Sequence, residues 1–216
     1  MKVIAVNGSP RKKWNTATML EHALQGAAAA GSEVEMVHLY DLDFKGCISC
    51  FACKQVGGKS EGSCAVQDGA TSVLDKITAE ADGLILGSPI YFGSMSGEMH
   101  SFLERLVFAP FRYSNPPSSI FPRRLKTGFI YTMNLTEEHS AERGYEKMFK
   151  ATEGYLKMAF GHSETLCAYD TCQMADFSKV VMEYMDPAHK LARREQAFPE
   201  ECKKAFELGR RLVTND

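Results

Sequence analysis

The sequence predicts an α/β fold: a parallel sheet with helices on both faces. Three observations carry this. Short apolar runs bounded by glycine or polar residues alternate with segments of helical periodicity. The alternation persists from residue 3 to about residue 169. The length of 216 residues suits one such domain with a full core, and 44% hydrophobic with 24% charged residues is ordinary for a globular chain. Strands and helices alternating in this way imply parallel strands joined by right-handed crossovers. A single domain over residues 1–216 is expected.

The first strand is the apolar run at 3–6, ended by Asn7 and Gly8. A polar loop follows, and helical periodicity runs over 16–30, with Gly31 where a C-terminal cap is expected. Residues 34–39 partly alternate and read as a second, less buried strand. A cysteine-rich loop occupies 46–69. Val73, Leu74, Ile77 and Ala81 mark a helix over 70–81, and the run Gly83-Leu-Ile-Leu-Gly87 a fully buried third strand. Met99, Phe102, Leu103, Leu106 and Val107 mark a helix over 97–108. Residues 109–124, rich in proline and aromatics, read as an irregular excursion. A fourth strand is expected at 126–132, a long helix at 140–160, a fifth strand at 164–169 and a C-terminal helical extension at about 177–213, interrupted at Pro187 and Pro199.

Composition excludes several function classes. The formal net charge of -2 gives no basic excess for nucleic acid. Arg123-Arg124 and Arg193-Arg194 are isolated pairs and read as solvated faces. No apolar run approaches the roughly 18 residues that would span a bilayer. The N-terminus lacks a charged region leading into an apolar one, so no secretory signal is read and a cytoplasmic location is the default expectation. The seven cysteines then point to metal or redox chemistry rather than a disulfide framework.

In an open parallel sheet, ligands bind beyond the carboxyl ends of the strands, where strand order reverses. This selects the loops at 7–16, 88–96 and 132–136, which should lie together at one edge. The first opens a helix, where orphan N–H groups and the helix dipole favour an anion. Ser9, Asn15 and Thr16 add side-chain hydrogen bonds, and Arg11 adds a fork of donors matched to a phosphate. No Gly-x-Gly-x-x-Gly turn or Walker pattern is present, so a terminal phosphate monoester suits this loop better than a pyrophosphate. The competing reading is a solvated loop in which Ser9 and Thr16 cap the helix. In the second loop, Tyr91 and Phe92 offer aromatic surface, Gly93 and Gly97 allow close backbone approach, and Ser94 and Ser96 add donors. A planar heteroaromatic ring with a polar edge would use such a loop; aromatic residues filling core beneath it are the alternative.

Gly8-Ser-Pro-Arg-Lys-Lys-Trp-Asn-Thr16 together with Gly87-Ser-Pro-Ile-Tyr-Phe-Gly-Ser-Met-Ser-Gly97 resembles the NADPH-dependent FMN reductase family of flavodoxin-like proteins. Between them, Cys47-Ile-Ser-Cys-Phe-Ala-Cys53 resembles the iron–sulfur flavoprotein branch. The resemblance runs from residue 1 to about residue 134. It implies a flavodoxin-like three-layer sandwich with a five-stranded parallel sheet of order 2-1-3-4-5, extra C-terminal helices and bound FMN. By resemblance, Ser9, Arg11, Asn15 and Thr16 hold the FMN phosphate. Pro89, Ile90, Tyr91, Phe92, Gly93 and Ser94 border the isoalloxazine and ribityl chain, and Thr132, Met133 and Asn134 close the far side. Two positions depart from the family pattern. Trp14 stands where a small residue usually precedes the Asn-Thr pair, and Thr132-Met-Asn replaces a more glycine-rich turn.

Cys47, Cys50 and Cys53 are evenly spaced, and Cys64 follows the glycine-rich segment 54–63. Four thiolates suit an iron–sulfur cluster or zinc; the resemblance favours [4Fe–4S], with the fourth cysteine usually closer. Free thiols and reversible disulfide chemistry are the other readings. Cys167, Cys172 and Cys202 are scattered and read as small buried hydrophobes. Glu104 and Arg105 are expected to form an ion pair. No catalytic acid, base or nucleophile is assigned, because a flavin carries its own chemistry. The expected function is electron transfer from NAD(P)H through FMN to a quinone, flavin, metal or iron–sulfur acceptor, in a homodimer or homotetramer. The 109–124 excursion is expected to cover the flavin or form a dimer contact. An electron-transfer flavoprotein working between protein partners, without a small-molecule substrate, is the alternative; a thiol or metal sensor is a third.

Overall fold

A computed structural model describes residues 1–214. The element order is β1 (Lys2–Asn7), α1 (Asn15–Ala29), β2 (Glu33–His38), α2 (Thr71–Glu80), β3 (Gly83–Tyr91), β4 (Ser94–Met95), α3 (Gly97–Phe108), β5 (Phe111–Arg112), β6 (Ser118–Ser119), β7 (Leu125–Thr132), α4 (Glu137–Glu142), α5 (Tyr145–Phe160), β8 (Gly161–Ala168), α6 (Pro187–Gln196) and α7 (Phe198–Val213). The main sheet runs β2-β1-β3-β7-β8, all parallel. This is the predicted order 2-1-3-4-5, with the extra helices at the C-terminus.

Strand periodicity builds the three layers. Alternate side chains of a strand point to opposite faces, so β1 sends Ile4 and Val6 to one core and Val3 and Ala5 to the other. The first core is closed by α2, α3 and α5 through residues such as Ile77, Phe102 and Leu156. The second is closed by α1 and α7 through Met19, Leu20, Ala205 and Leu208. Helices α1 and α7 cross at two glycines. A Cβ on Gly26 would lie 1.9 Å from the Phe206 carbonyl oxygen, and one on Gly209 would lie 1.8 Å from the Ala23 oxygen. Helix α1 ends in a Schellman motif: Ser32 N–H donates to the Ala27 carbonyl at 3.1 Å and Gly31 N–H to that of Ala28 at 2.9 Å, with Gly31 at φ 88°.

Several elements differ from the sequence expectation. The long helix over 140–160 is two helices, because Gly144 adopts φ 71° between α4 and α5. Pro187 and Pro199 do not interrupt a helix. Each stands in the first turn of one, where proline lacks only an N–H that would be orphaned anyway. Residues 177–186 are not helical. Strand β3 runs on to Tyr91 and turns back as the short hairpin partner β4. Of the paired arginines Arg124 is exposed as expected, whereas Arg123, Arg193 and Arg194 are half-buried and engaged. Arg123 donates to the carbonyls of Ile77, Ala79 and Ala81, satisfying orphan acceptors at the end of α2. Arg193 pairs with Glu201, and Arg194 turns toward the loop after β1. Among the described residues no helix is long and apolar enough to cross a membrane.

Candidate functional site

The three loops selected from the sequence meet at the carboxyl ends of β1, β3 and β7. They line one open cavity of about 250 Å³. Ser9, Arg11, Asn15, Thr16, Pro89, Ile90, Tyr91, Thr132, Met133 and Asn134 are all on its wall. Phe92, Gly93 and Ser94 are not. They form the tip of the β3–β4 hairpin, where Phe92 stands fully exposed at φ 49° and Gly93 at φ 84°. Trp14, Thr171, Gln173 and Met174 complete the wall. The segment after β8 carried no recognisable motif. It reaches the site because β8 is the sheet's last strand and its carboxyl end opens at the same edge.

The loop at 8–14 is shaped by local hydrogen bonds. Asn7 Oδ1 accepts from Ser9 N–H at 2.9 Å, and Ser9 Oγ accepts from Arg11 N–H at 3.2 Å. Gly8 packs where a Cβ would stand 2.7 Å from that of Met99, so the loop lies directly on the start of α3. Ser96 caps α3 by accepting from Met99 N–H and also donates to the Gly8 carbonyl at 2.6 Å, which ties the first loop to the second. Thr16 and Thr132 share a hydroxyl hydrogen bond of 2.7 Å, which ties the first to the third. Helix α1 has Trp14 at its N-cap and no side-chain cap, so its first N–H groups are left for another acceptor. The capping role weighed for Ser9 and Thr16 is therefore not what these residues do.

Trp14 is held by two cations. The guanidinium carbons of Arg11 and Arg194 each stand 4.1 Å from its ring centroid. Trp14 Nε1 donates to the Cys172 carbonyl at 3.0 Å, Asn15 Nδ2 donates to the same oxygen at 2.8 Å, and Arg11 donates to the Gln173 carbonyl. Arg194 Nη1 donates to Asn15 Oδ1 at 3.2 Å. Both ends of the Asn15 amide are thus engaged within the protein. Among the described residues neither Arg11 nor Arg194 is paired with a carboxylate: their acceptors are the Gln173 carbonyl and the Asn15 amide oxygen. Burial, reinforced by the neighbouring Arg194 charge, lowers the Arg11 guanidinium from its ordinary value, while burial raises the Tyr91 phenol and keeps it a neutral donor.

The third loop is braced from behind by a charge network that sequence reading missed. Lys190, itself buried, donates to the Asn134 carbonyl at 2.8 Å and pairs with Asp170, which also meets His189 Nε2 at 2.6 Å. Asp170 opposes its own burial through these two partners, and its carboxyl lies below the ordinary value. Asn134 Oδ1 is enclosed on the cavity wall with no hydrogen-bond partner.

The cysteine loop sits elsewhere, against α3. Cys47, Cys50, Cys53 and Cys64 line one small cavity of about 20 Å³ beside Glu104, Arg105 and Phe108. Two sulfurs receive hydrogen bonds, Cys64 Sγ from Arg105 Nε at 3.3 Å and Cys47 Sγ from Ser49 N–H at 3.4 Å. Among the described residues no three Cys, His, Asp or Glu side chains stand together as a metal-holding group. The structural ion pair expected at Glu104-Arg105 is made by Arg105 with Asp68 rather than between the two neighbours. Adjacent residues on a helix point about 100° apart, and Arg105 turns inward to Asp68 at 2.7 Å while Glu104 accepts from Cys47 N–H at 2.9 Å. The 109–124 excursion does not cover the first cavity; it packs on the cysteine loop, with Arg112 paired to Glu61 and Lys54 donating to the Phe111 carbonyl at 2.6 Å.

Comparison with known proteins agrees with the geometry. Residues 1–120 match the family model for NADPH-dependent FMN reductases. An iron–sulfur flavoprotein of Methanocaldococcus jannaschii is 41% identical over 105 residues, covering 49% of this chain and 51% of the relative. One from Archaeoglobus fulgidus is 37% identical over 105 residues, covering 49% and 48%. The chain thus spans about half the length of the curated relatives it matches. Among solved structures, an NAD(P)H:quinone oxidoreductase from Methanothermobacter marburgensis superposes over 98% of both chains with a TM-score of 0.69 at 14% identity. An azoreductase from Bacillus anthracis does so over 97% and 99% with a TM-score of 0.65 at 17% identity. At such identities the likeness is one of fold.

Proposed function

The chain belongs to the NADPH-dependent FMN reductase family, and from that premise we propose that it is an FMN-dependent oxidoreductase that takes electrons from NAD(P)H and passes them to a quinone, flavin, metal or iron–sulfur acceptor. The observation that carries the reading is the cavity at the ends of β1, β3 and β7. It presents two kinds of wall: the uncapped start of α1 with the Arg11 guanidinium, which among the described residues has no carboxylate partner, and the run Pro89, Ile90 and Tyr91. A phosphate monoester fits the first and a planar ring the second.

The residues fit FMN. Arg11, Ser9 and the α1 N–H groups would hold the phosphate, Thr16 with Thr132 would set the distance between the two loops, and Asn134 Oδ1 would accept from a donor on the ring or ribityl chain. Asn15 acts differently from the expectation: its amide, engaged by Arg194 and Cys172, orients the wall rather than the ligand. The bound flavin would supply hydride and electron chemistry. The chain's part is to fix the ring against Pro89 to Tyr91, neutralise the phosphate and, through Lys190, brace the third loop. Cys47, Cys50, Cys53 and Cys64 have the thiolate chemistry of an iron–sulfur cluster and border one small cavity, with N–H groups aimed at two sulfurs, but no three of them stand together among the described residues, so holding a cluster would require the loop to draw them in. A homodimer or homotetramer completes the reading.

The test is steady-state oxidation of NADH and NADPH by the purified, FMN-loaded protein with added quinone or free FMN. Turnover is expected. Absence of turnover, with the bound flavin reduced only by a partner protein, would select the electron-transfer alternative.

A further inference from the structure

Trp14 is the residue in the first loop that neither the family pattern nor the proposed chemistry uses. It is also among the most firmly held side chains at the cavity. Arg11 and Arg194 both stack on the indole, each with its guanidinium carbon 4.1 Å from the ring centroid. Its N–H reaches across to the Cys172 carbonyl at 3.0 Å, beside the Asn15 bond to the same oxygen and the Arg11 bond to Gln173. These bonds form a seam between the loop after β1 and the segment after β8. The seam borders the same cavity as Pro89 to Tyr91, through Arg11, Trp14, Asn15 and Gln173. One of the stacking residues, Arg194, comes from α6, so the C-terminal extension closes a site whose recognisable motifs all lie before residue 100.

We propose that Trp14, held by Arg11 and Arg194 and tied to Cys172, is the wall that restricts the site to a flavin ending in a single phosphate and excludes one whose phosphate continues into an adenosine diphosphate tail. The proposal rests on the FMN reading above. A terminal monoester needs no exit beyond its phosphate oxygens, whereas a dinucleotide tail leaving on the side of this seam would have to part Trp14 from the Cys172 carbonyl and disturb the guanidinium groups stacked on the indole. Specificity of this kind comes from a penalty on the wrong ligand rather than a gain for the right one. Both guanidinium groups also add positive charge at this wall, so it would exclude the longer flavin without repelling the shorter.

The experiment measures FMN and FAD dissociation constants by quenching of flavin fluorescence, using flavin-free wild type, Trp14→Gly and Arg194→Ala, each checked for a cooperative melting transition. The wild type is expected to prefer FMN. Trp14→Gly should narrow that preference by about tenfold or more through tighter FAD binding, and Arg194→Ala should narrow it in the same direction but less. Arg194→Ala, on a different element, decides the matter if Trp14→Gly does not fold. A preference unchanged within about twofold in the folded variants overturns the proposal and leaves the FMN reading standing. Weaker FMN binding without any gain in FAD also overturns it, since Trp14 would then serve phosphate binding alone. A wild type that binds neither flavin removes the FMN reading itself.

Discussion

Among the described residues Arg11 meets no carboxylate and spends its side chain on a carbonyl and an indole ring, an arrangement that leaves its charge for an anion. A charge-assisted hydrogen bond to phosphate contributes about 1.5–3 kcal/mol. Arg11→Ala should therefore weaken FMN binding by about tenfold or more in a flavin-fluorescence titration, and an unchanged dissociation constant would remove Arg11 from the phosphate site. Arg105 is the opposite case. It is fully buried and meets both oxygens of Asp68 at 2.7 Å, with the Val66 and Lys45 carbonyls and Cys64 Sγ as further acceptors. Removing one partner of such a pair strands a buried charge, so Asp68→Ala should lower stability by about 3–5 kcal/mol in denaturant unfolding. The same pair fixes an acid dependence. Burial works against the Asp68 carboxylate, but the Arg105 bonds and the Ala70 and Lys45 N–H groups outweigh it and hold the carboxyl below its ordinary 3.8. A depressed folded-state value stabilises the protein above the unfolded value and ceases to do so as pH falls through the folded one. The melting temperature should therefore fall as pH drops from about 5 through that range, and by less in Asp68→Asn. The residues legible in the sequence were those on loops directly following strands, because strand ends fix loop positions. Thr171 and Gln173, which reach the cavity from the end of β8, and Arg194, which bonds the wall residue Asn15 from α6, were not legible, because their placement depends on packing rather than on any local pattern.

At the scale of elements, the crossing of α1 on α7 holds the C-terminal extension in place. The helices approach closely enough that a Cβ at Gly26 or Gly209 would meet backbone oxygen within 1.9 Å. Gly209→Ala must push α7 off α1, a cost of about 1–3 kcal/mol or more, visible as a lower melting temperature. Because α6 precedes α7 and carries Arg194, the same variant should weaken FMN binding; a fully stable Gly209→Ala would contradict the crossing. The strands and α3 were legible from periodicity and glycine boundaries. The division of α4 from α5 was not, because Gly144 reads as an ordinary helix interior until its left-handed φ is seen. Nor were the starts of α6 and α7, where proline reads as a breaker although it is well suited to a first turn.

At the scale of the whole molecule, strand order places every recognisable loop at one sheet edge, and this is why the fold class, family and cavity were readable together. The cysteine loop lies against α3 instead, apart from that cavity and packed under the β5–β6 hairpin. Its spacing in sequence raised the expectation of a thiol cluster but did not give the loop's place, since a long glycine-rich connection adds little constraint. The central claim is that this fold carries FMN at the edge formed by β1, β3 and β7 and exchanges electrons with a nicotinamide there. An anaerobic absorption spectrum of the purified protein, with flavin and iron quantified before and after NAD(P)H, tests it most directly. The account predicts tightly held FMN that bleaches when the nicotinamide is added, with iron present alongside it if the cysteine loop holds its cluster. A protein that retains no flavin when FMN is supplied, or whose flavin is untouched by both NADH and NADPH, would contradict it.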